Sequence, residues 1–247
     1  MDWSRFDELN HQQMTLVAHD RIQQTLSEIV IHNPAAKAVF DKYNLDYCCG
    51  GRQALADAAV NLGLEPETIW AEIENMPVVS DAMALRYHEW TMSLLIDFIE
   101  QNYHQYVRKS IPLLSELLGK VTAVHGEQHP ELQSIQSEFE VLAGDLISHM
   151  KKEELVLFPA LRELEQTGGQ TDHPIALMIE HPIAAMQHEH DIAGDLLKSI
   201  REYSNHYEVP ADGCVTYRLT YKKLEEFDRE LVNHIHLENN VLFKKKY

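Results

Sequence analysis

The chain has 247 residues, of which 45% are hydrophobic, so it is long enough and apolar enough to bury a core. Its formal net charge of −18 repels phosphate backbones and anionic membranes, which argues against nucleic-acid and membrane partners. Three cysteines are too few for a disulfide framework, and no basic leader or long apolar run is visible, so we expect a cytoplasmic protein.

The first third of the chain predicts an extension followed by a small helical domain with a cysteine pair. Residues 1–22 have scattered apolar positions, typical of a short docked helix or a partly ordered arm, and residues 23–76 show short helical patterns separated by turn residues. Cys48 and Cys49 precede two glycines in a predicted exposed turn, ahead of a helix expected to start at Gln53. Because a helix N-terminus lowers a thiol pKa, the pattern favours a redox or iron-transfer role over simple packing, with a vicinal disulfide or metal ligation both open.

The rest of the chain predicts a four-helix bundle. Residues 77–85 are interpreted as a linker, and residues 86–247 contain four long segments whose apolar residues recur three and four apart, as in an up-down antiparallel bundle. Pro112 is expected to kink the first long helix or to start its second half. Cys214, alone at the start of the last helix, is predicted to be structural. The predicted fold class is therefore all-α, a bundle preceded by a small helical domain.

Two ten-residue stretches of the bundle match each other. Residues 149–158 read HMKKEELVLF, and residues 234–243 read HIHLENNVLF. In both, a histidine is followed four residues later by a glutamate, and residues four apart project from the same face of a helix. This spacing is typical of metal ligands, and its repetition with matched apolar tails strengthens that interpretation. The two pairs are His149 with Glu153 and His234 with Glu238.

Each of the four helices is predicted to place a histidine on or beside its inward face. The inward seam of the second helix is expected to continue through Val156. Six buried polar residues each need a partner, and a pair of metal ions satisfies all of them. Imidazole-rich ligation with two carboxylates favours iron, with zinc and copper left open. The predicted inward set is His104, His149, Glu153, His190, His234 and Glu238.

Several other polar residues near these positions are not predicted to be metal ligands. Asp145 and Glu189 are candidates to accept hydrogen bonds from ligand N–H groups or to donate protons, with a solvated role as the alternative. His125 lies about 30 Å from His104 along a straight helix and is predicted to cap or pack. Four further histidines are assigned to the surface or to loops, namely His173, His181, His188 and His236.

The combination of motifs resembles hemerythrin-like proteins, and more narrowly the iron-sulfur cluster repair di-iron family of the ScdA and YtfE type. The motifs are YCCGG, NYH at 102–104, SHMKKEELVLFP, EHD at 189–191 and HIHLENNVLF, and the similarity runs from about residue 24 to the C-terminus. The resemblance implies a small cysteine-containing domain joined to a hemerythrin-like bundle. It also implies two non-heme iron ions, oxo-bridged, held by the four histidines with Glu153 and Glu238 as bridges. Damaged iron-sulfur proteins would be its partners, with nitric oxide or oxygen species as the damaging agents.

Two departures from the family pattern stand out. Oxygen-carrying hemerythrins have a second histidine one turn before the third-helix ligand, where this chain has Met186. One iron would therefore have a ligand fewer, which argues against simple oxygen carriage. Three lysines, Lys244 to Lys246, also follow the last motif, where the family usually continues with proline.

Three functions stay open at this point. The first is repair of clusters damaged by nitrosative or oxidative stress, by donation of iron. The second is reduction of nitric oxide to nitrous oxide at the di-iron site, and the third is a gas or iron sensor. Whether the protein is a monomer or a homodimer is left open.

Overall fold

The computed structural model describes residues 21–76, 86–168 and 174–245. Residues 1–20 of the predicted arm over residues 1–22 lie outside these ranges, as do the linker over 77–85 and His173. The described residues are helical and contain no β-strand, so the predicted all-α fold class is confirmed. The chain divides into two compact units, Met1–His88 and Glu89–Tyr247.

In its described part, the first unit contains four short helices around its own small core. They are α1 (Leu26–His32), α2 (Ala36–Lys42), α3 (Leu55–Asn61) and α4 (Pro66–Asn75). At the start of α1, Thr25 and Glu28 form a reciprocal capping box, in which each side chain accepts a hydrogen bond from the other residue's backbone N–H. Pro66 occupies the first position of α4, a favourable placement because an N–H group there would have no partner within the helix. The core includes Leu26, Ile29, Phe40, Leu55 and Ile69.

The second unit is the predicted bundle, preceded by a 3₁₀ turn at Tyr87–Glu89. Its first long helix comprises α5 (Met92–Phe98), the π-helical segment π1 (Ile99–His104) and α6 (Gln105–His125). The second comprises α7 (Glu131–Lys152), π2 (Glu153–Leu157) and α8 (Phe158–Gln166). The third is α9 (Pro174–Tyr203), and the fourth comprises α10 (Val215–Leu237) and π3 (Glu238–Leu242). α6 packs on α7 and α10, and α7 packs on α9. α6 continues through Pro112, so no second half begins there.

Each π-helical segment lies beside residues of the predicted inward set. His104 ends π1, Glu153 begins π2 and Glu238 begins π3. A π-helix closes its hydrogen bonds over five residues instead of four, so it rotates the following side chains relative to an α-helix. The prediction that Val156 faces inward is therefore wrong: Val156 is 59% exposed and Leu157 takes the buried position.

Within the described ranges, none of the helices combines the length and the apolar character that a membrane crossing requires.

Candidate metal centre

The four helices of the bundle bring the six predicted residues together in its interior. Two come from the repeated stretch in the second helix and two from its copy in the fourth, while the first and third helices supply one histidine each. All six are at most 4% exposed. Their ligand atoms form two groups that could each hold a metal ion, and both groups contain Glu153 and Glu238.

The first group combines these glutamates with His104 and His234. The Nε2 atom of His104 lies 3.4 Å from Oε2 of Glu153 and 3.8 Å from Oε1 of Glu238. The Nε2 atom of His234 lies 3.0 Å from the same Oε1 atom. Two imidazoles and two carboxylates thus meet at one point.

The second group combines the glutamates with His149 and His190. The Nε2 atom of His149 lies 3.3 Å from Oε1 of Glu153, and the Nε2 atom of His190 lies 3.1 Å from Oε2 of Glu238. The two Nε2 atoms are 2.9 Å apart. Each glutamate therefore turns one oxygen toward each group, which is the arrangement required of a carboxylate that bridges two metal ions.

The donor atoms facing this space fit a pair of cations. Four of them are buried and have no hydrogen-bond partner among the described residues: Nε2 of His104, both carboxylate oxygens of Glu153, and Oε2 of Glu238. A buried polar atom without a partner costs stability, and such atoms normally find one. Nitrogen and oxygen donors in this ratio suit transition-metal ions, which would satisfy all four atoms.

Three of the four histidines are oriented by acceptors on their outer nitrogen. His104 Nδ1 lies 2.7 Å from Oε1 of Glu154, and His149 Nδ1 lies 2.8 Å from Oε2 of Glu189. His190 Nδ1 lies 2.9 Å from Oδ1 of Asn239. Such acceptors fix the ring so that its other nitrogen faces the metal position.

The two outer glutamates are themselves held by cations. Arg108 donates from Nη2 to both oxygens of Glu154, each at 2.7 Å, and Lys152 donates to Glu189. Because a basic group neutralises it, each glutamate can remain an ionised acceptor in a partly buried position. In agreement, these contacts outweigh burial and lower the pKa of both carboxyl groups.

His234 differs from the other three histidines. Its Nδ1 atom is buried and has no hydrogen-bond partner. The ring of Tyr103 stacks on it, with ring centroids 5.2 Å apart and an interplanar angle of 3°. On its outer side, packing against an aromatic ring therefore takes the place of a hydrogen bond to Nδ1 in orienting this imidazole.

The electrostatics of the centre favour ionised glutamates. Burial lowers the pKa of His104, but Glu153 and Glu238 offset it and raise that pKa to about 10. The same balance raises the pKa of His149 to about 9. Although burial opposes ionisation of the glutamates, the histidines lower the pKa of Glu153 and lower that of Glu238 well below its usual range. At His234 burial prevails and lowers the pKa. The two buried carboxylates therefore need positive charge nearby to balance them, and either protons on the histidines or metal cations can supply it.

Comparison with known proteins agrees with this arrangement. The hemerythrin HHE cation binding domain matches residues 96–245, and a domain of unknown function, DUF542 (ScdA_N), matches residues 22–76. The iron-sulfur cluster repair protein ScdA of Staphylococcus haemolyticus (strain JCSC1435) is 34% identical over 223 residues, which cover 90% of this chain and 97% of that protein. The chain belongs to the ScdA/YtfE family of hemerythrin-like iron-sulfur cluster repair proteins.

Two further members show the same extent of similarity. The iron-sulfur cluster repair protein YtfE of Shigella boydii serotype 4 (strain Sb227) is 36% identical over 225 residues, covering 90% of this chain and 96% of that protein. YtfE of Escherichia coli (strain K12 / DH10B) is 35% identical over the same length and coverage. The ScdA/YtfE relationship thus spans both units.

The sequence offers two candidate acceptors for the ligand N–H groups. Glu189 accepts the bond from His149, whereas Asp145 is exposed on α7. His236, predicted to be at the surface, is 5% exposed, because α10 is enclosed near its end. Asn240 donates to its Nδ1 atom at 3.1 Å. Met186, in the place of the second histidine of oxygen-carrying hemerythrins, is buried.

The outer partners Glu154 and Asn239 are absent from the predicted set. The one feature of the sequence that could identify them is their position, because each directly follows a glutamate of the repeated His-Glu pair. An α-helical pattern places the residue after an inward one on the side of the helix, but π2 and π3 begin at these glutamates and turn both neighbours toward the histidines.

The cysteine pair of this ScdA/YtfE family member lies in the first unit, in a turn organised by Asp46. Oδ1 of Asp46 accepts bonds from the backbone N–H of Cys48 and Cys49, at 3.0 and 2.9 Å, and from the Cys48 thiol at 3.1 Å. The two sulfur atoms are 3.5 Å apart. With Asp46 they form a third group whose atoms could hold a metal ion. A side chain at Gly51 would place its Cβ atom 2.3 Å from the carbonyl oxygen of Tyr47, so this turn requires glycine.

Two expectations about this turn are wrong. Cys48 is 7% exposed rather than exposed, because its side chain packs into the core of the unit. The following helix begins at Leu55, two residues later than expected, so no helix N-terminus lowers the Cys48 pKa. Instead, the hydrogen bond with the Cys49 thiol, burial, and the nearby Asp46 carboxylate raise that pKa well above its usual value.

Proposed function

We propose that the six buried residues bind two iron ions, with the Nε2 atoms of the four histidines as terminal ligands and Glu153 and Glu238 as bridges. The observation that carries this proposal is that each glutamate turns one oxygen toward each pair of histidines. Iron bound there would supply redox chemistry and a store of transferable metal. Histidine and carboxylate donors support iron over magnesium or calcium, which prefer oxygen ligands alone.

The protein's own groups prepare the centre for such ions. The ionised carboxylates of Glu153 and Glu238 balance the charge of the cations, and burial keeps water from competing for them. Glu154 and Glu189 hold two of the imidazoles in the orientation that directs Nε2 inward. Protons on the surrounding histidines balance the two glutamates when no cation does, so these residues would release protons on binding metal ions.

The protein then acts in the repair of iron-sulfur clusters damaged by nitrosative or oxidative stress, with iron donated from this centre to the damaged cluster. The names of the ScdA and YtfE relatives support this function. The similarity to two of them extends over 96 to 97% of the relative's length. Damaged iron-sulfur proteins would be the partners, and the cytoplasm the compartment, as the low cysteine content predicts.

The test is reactivation of an iron-sulfur dehydratase that nitric oxide has inactivated. Iron-loaded protein is expected to restore activity, and a Glu153→Gln plus Glu238→Gln double variant is expected to restore none. Glu163→Gln, which removes an exposed carboxylate on α8, is the matched control and should behave as the unaltered chain does. Equal reactivation by the double variant would overturn the proposal. Nitrous oxide formed over many turnovers with an electron donor, without reactivation, would assign the centre to nitric oxide reduction instead.

A further inference from the structure

A row of aromatic rings leads from His234 toward the surface of the bundle. Tyr103 stacks on His234 with centroids 5.2 Å apart. Phe98 contacts Tyr103 edge to face at 5.9 Å, and Trp90 contacts Phe98 edge to face at 5.4 Å. Such separations are those of rings in direct contact, so the row is continuous.

The row is buried at its inner end and partly exposed at its other three rings. His234 is 1% exposed, whereas Tyr103, Phe98 and Trp90 are each partly exposed. Trp90 precedes α5, so the outer end of the row lies next to the N-terminus of the first long helix. The row therefore joins a candidate metal ligand in the interior to a ring that solvent reaches.

The π-helical segment π1 is what closes the row. Phe98 and Tyr103 are five residues apart and would point in different directions on an α-helix, in which residues three and four apart share a face. Because π1 spans residues 99–104, its wider turns bring the two rings into contact. The same segment ends at His104, so one backbone feature positions both a candidate ligand and the row.

Other rings touch the ligands without forming such a row. Phe158 stacks on His104 with centroids 5.7 Å apart, but it is 1% exposed and stays within the core. Phe243 stacks on His190 at 6.3 Å and is partly exposed, yet it is a single ring rather than a row. The row at His234 instead continues over three successive rings.

We propose that Tyr103, Phe98 and Trp90 form an electron-transfer path between the metal centre and the surface. This inference rests on the proposed iron pair. A one-electron donor at Trp90 loses one electron and one ferric ion becomes ferrous, so two donor molecules reduce the pair. The rings act as the tunnelling medium and are neither oxidised nor reduced at the end, and no covalent bond forms or breaks.

The test follows reduction of the iron-loaded, full-length protein by the methyl viologen radical cation. This one-electron donor is positively charged, so the net charge of −18 attracts it. Stopped-flow absorbance measures loss of the ferric bands, and Tyr103→Leu and Trp90→Leu are each expected to slow it by an order of magnitude or more, because tunnelling falls off exponentially across the gap left by a ring. Tyr103→Phe keeps the ring and is expected to react at the unaltered rate.

Phe243→Leu is the matched control, since it removes a ring stacked on a different ligand. Its reduction rate should match that of the unaltered chain. Iron content is measured for every variant, and Trp90→Leu, which touches no candidate ligand, keeps the test valid if Tyr103→Leu does not retain iron. Unchanged rates in Trp90→Leu with iron in place would overturn the path. A protein that binds no iron would instead overturn the proposed function.

Discussion

Replacement of Glu154 by glutamine tests how the surroundings of the histidines control metal binding. The Glu154 carboxylate accepts the His104 Nδ1 bond at 2.7 Å and is held by two bonds from Arg108, also at 2.7 Å. Glutamine has nearly the same shape, but its neutral oxygen is a weaker acceptor, and its amide nitrogen repels Arg108. Loss of such an outer partner weakens metal binding by about 10- to 100-fold, which is about 1.4 to 2.7 kcal/mol. Because the side chain of Glu154 is 25% exposed, we expect the lower half of that range.

The effect should be confined to the metal position that contains His104 and His234. Iron-loaded protein is mixed with a chelator that absorbs when it binds ferrous iron, and release is followed with time. Glu154→Gln is expected to speed release of half of the iron and leave the other half at the unaltered rate, while the exposed Glu163→Gln control changes neither. If both halves of the iron leave Glu154→Gln at the unaltered rates, or if the control changes them equally, the inferred role of Glu154 is refuted.

Two further predictions concern other parts of the bundle. Cys214 is exposed and caps α10, and hydrogen bonds from the backbone N–H of Tyr217 and from His125 lower its pKa to about 7. The rate of alkylation at Cys214, followed by mass spectrometry, should therefore be half-maximal near pH 7. A midpoint near the ordinary thiol pKa of about 8.5 would contradict this prediction. Asp228 is buried and accepts hydrogen bonds from Arg201 and Tyr207 at 2.6 and 2.7 Å. Asp228→Ala should therefore lower the free energy of unfolding by about 2 to 3 kcal/mol. This loss is smaller than for a fully buried ion pair, because Arg201 is partly exposed. Urea unfolding measures it, and an equal loss in the exposed Asp195→Ala control would show that the ion pair is not the cause.

Periodicity is sufficient to predict most of the bundle. Apolar residues three and four apart identify the four long helices, and the repeated pairs His149 with Glu153 and His234 with Glu238 identify which face turns inward. The structure brings these four residues together with His104 and His190 because helices of an up-down bundle share one core.

The π-helical segments account for what periodicity misses. A sequence pattern read with α-helical spacing places Val156 inside, whereas π2 turns Val156 outward and brings the partly exposed Glu154 to His104. No residue type in the segment distinguishes a π-helical turn from an α-helical one. Cys48 illustrates a different limit: glycines correctly predict a turn after it, but only the contacts of Asp46 and the core determine which thiol is buried.

The metal content of the purified 247-residue protein tests the proposed di-iron centre most directly. Elemental analysis is expected to find about two iron ions per chain, as in other carboxylate-bridged bundles, with a sharp fall when Glu153 is replaced by glutamine or His234 by alanine. Little iron in the unaltered protein, with another metal or none in its place, would contradict the proposed centre, and so would two iron ions that remain after both substitutions.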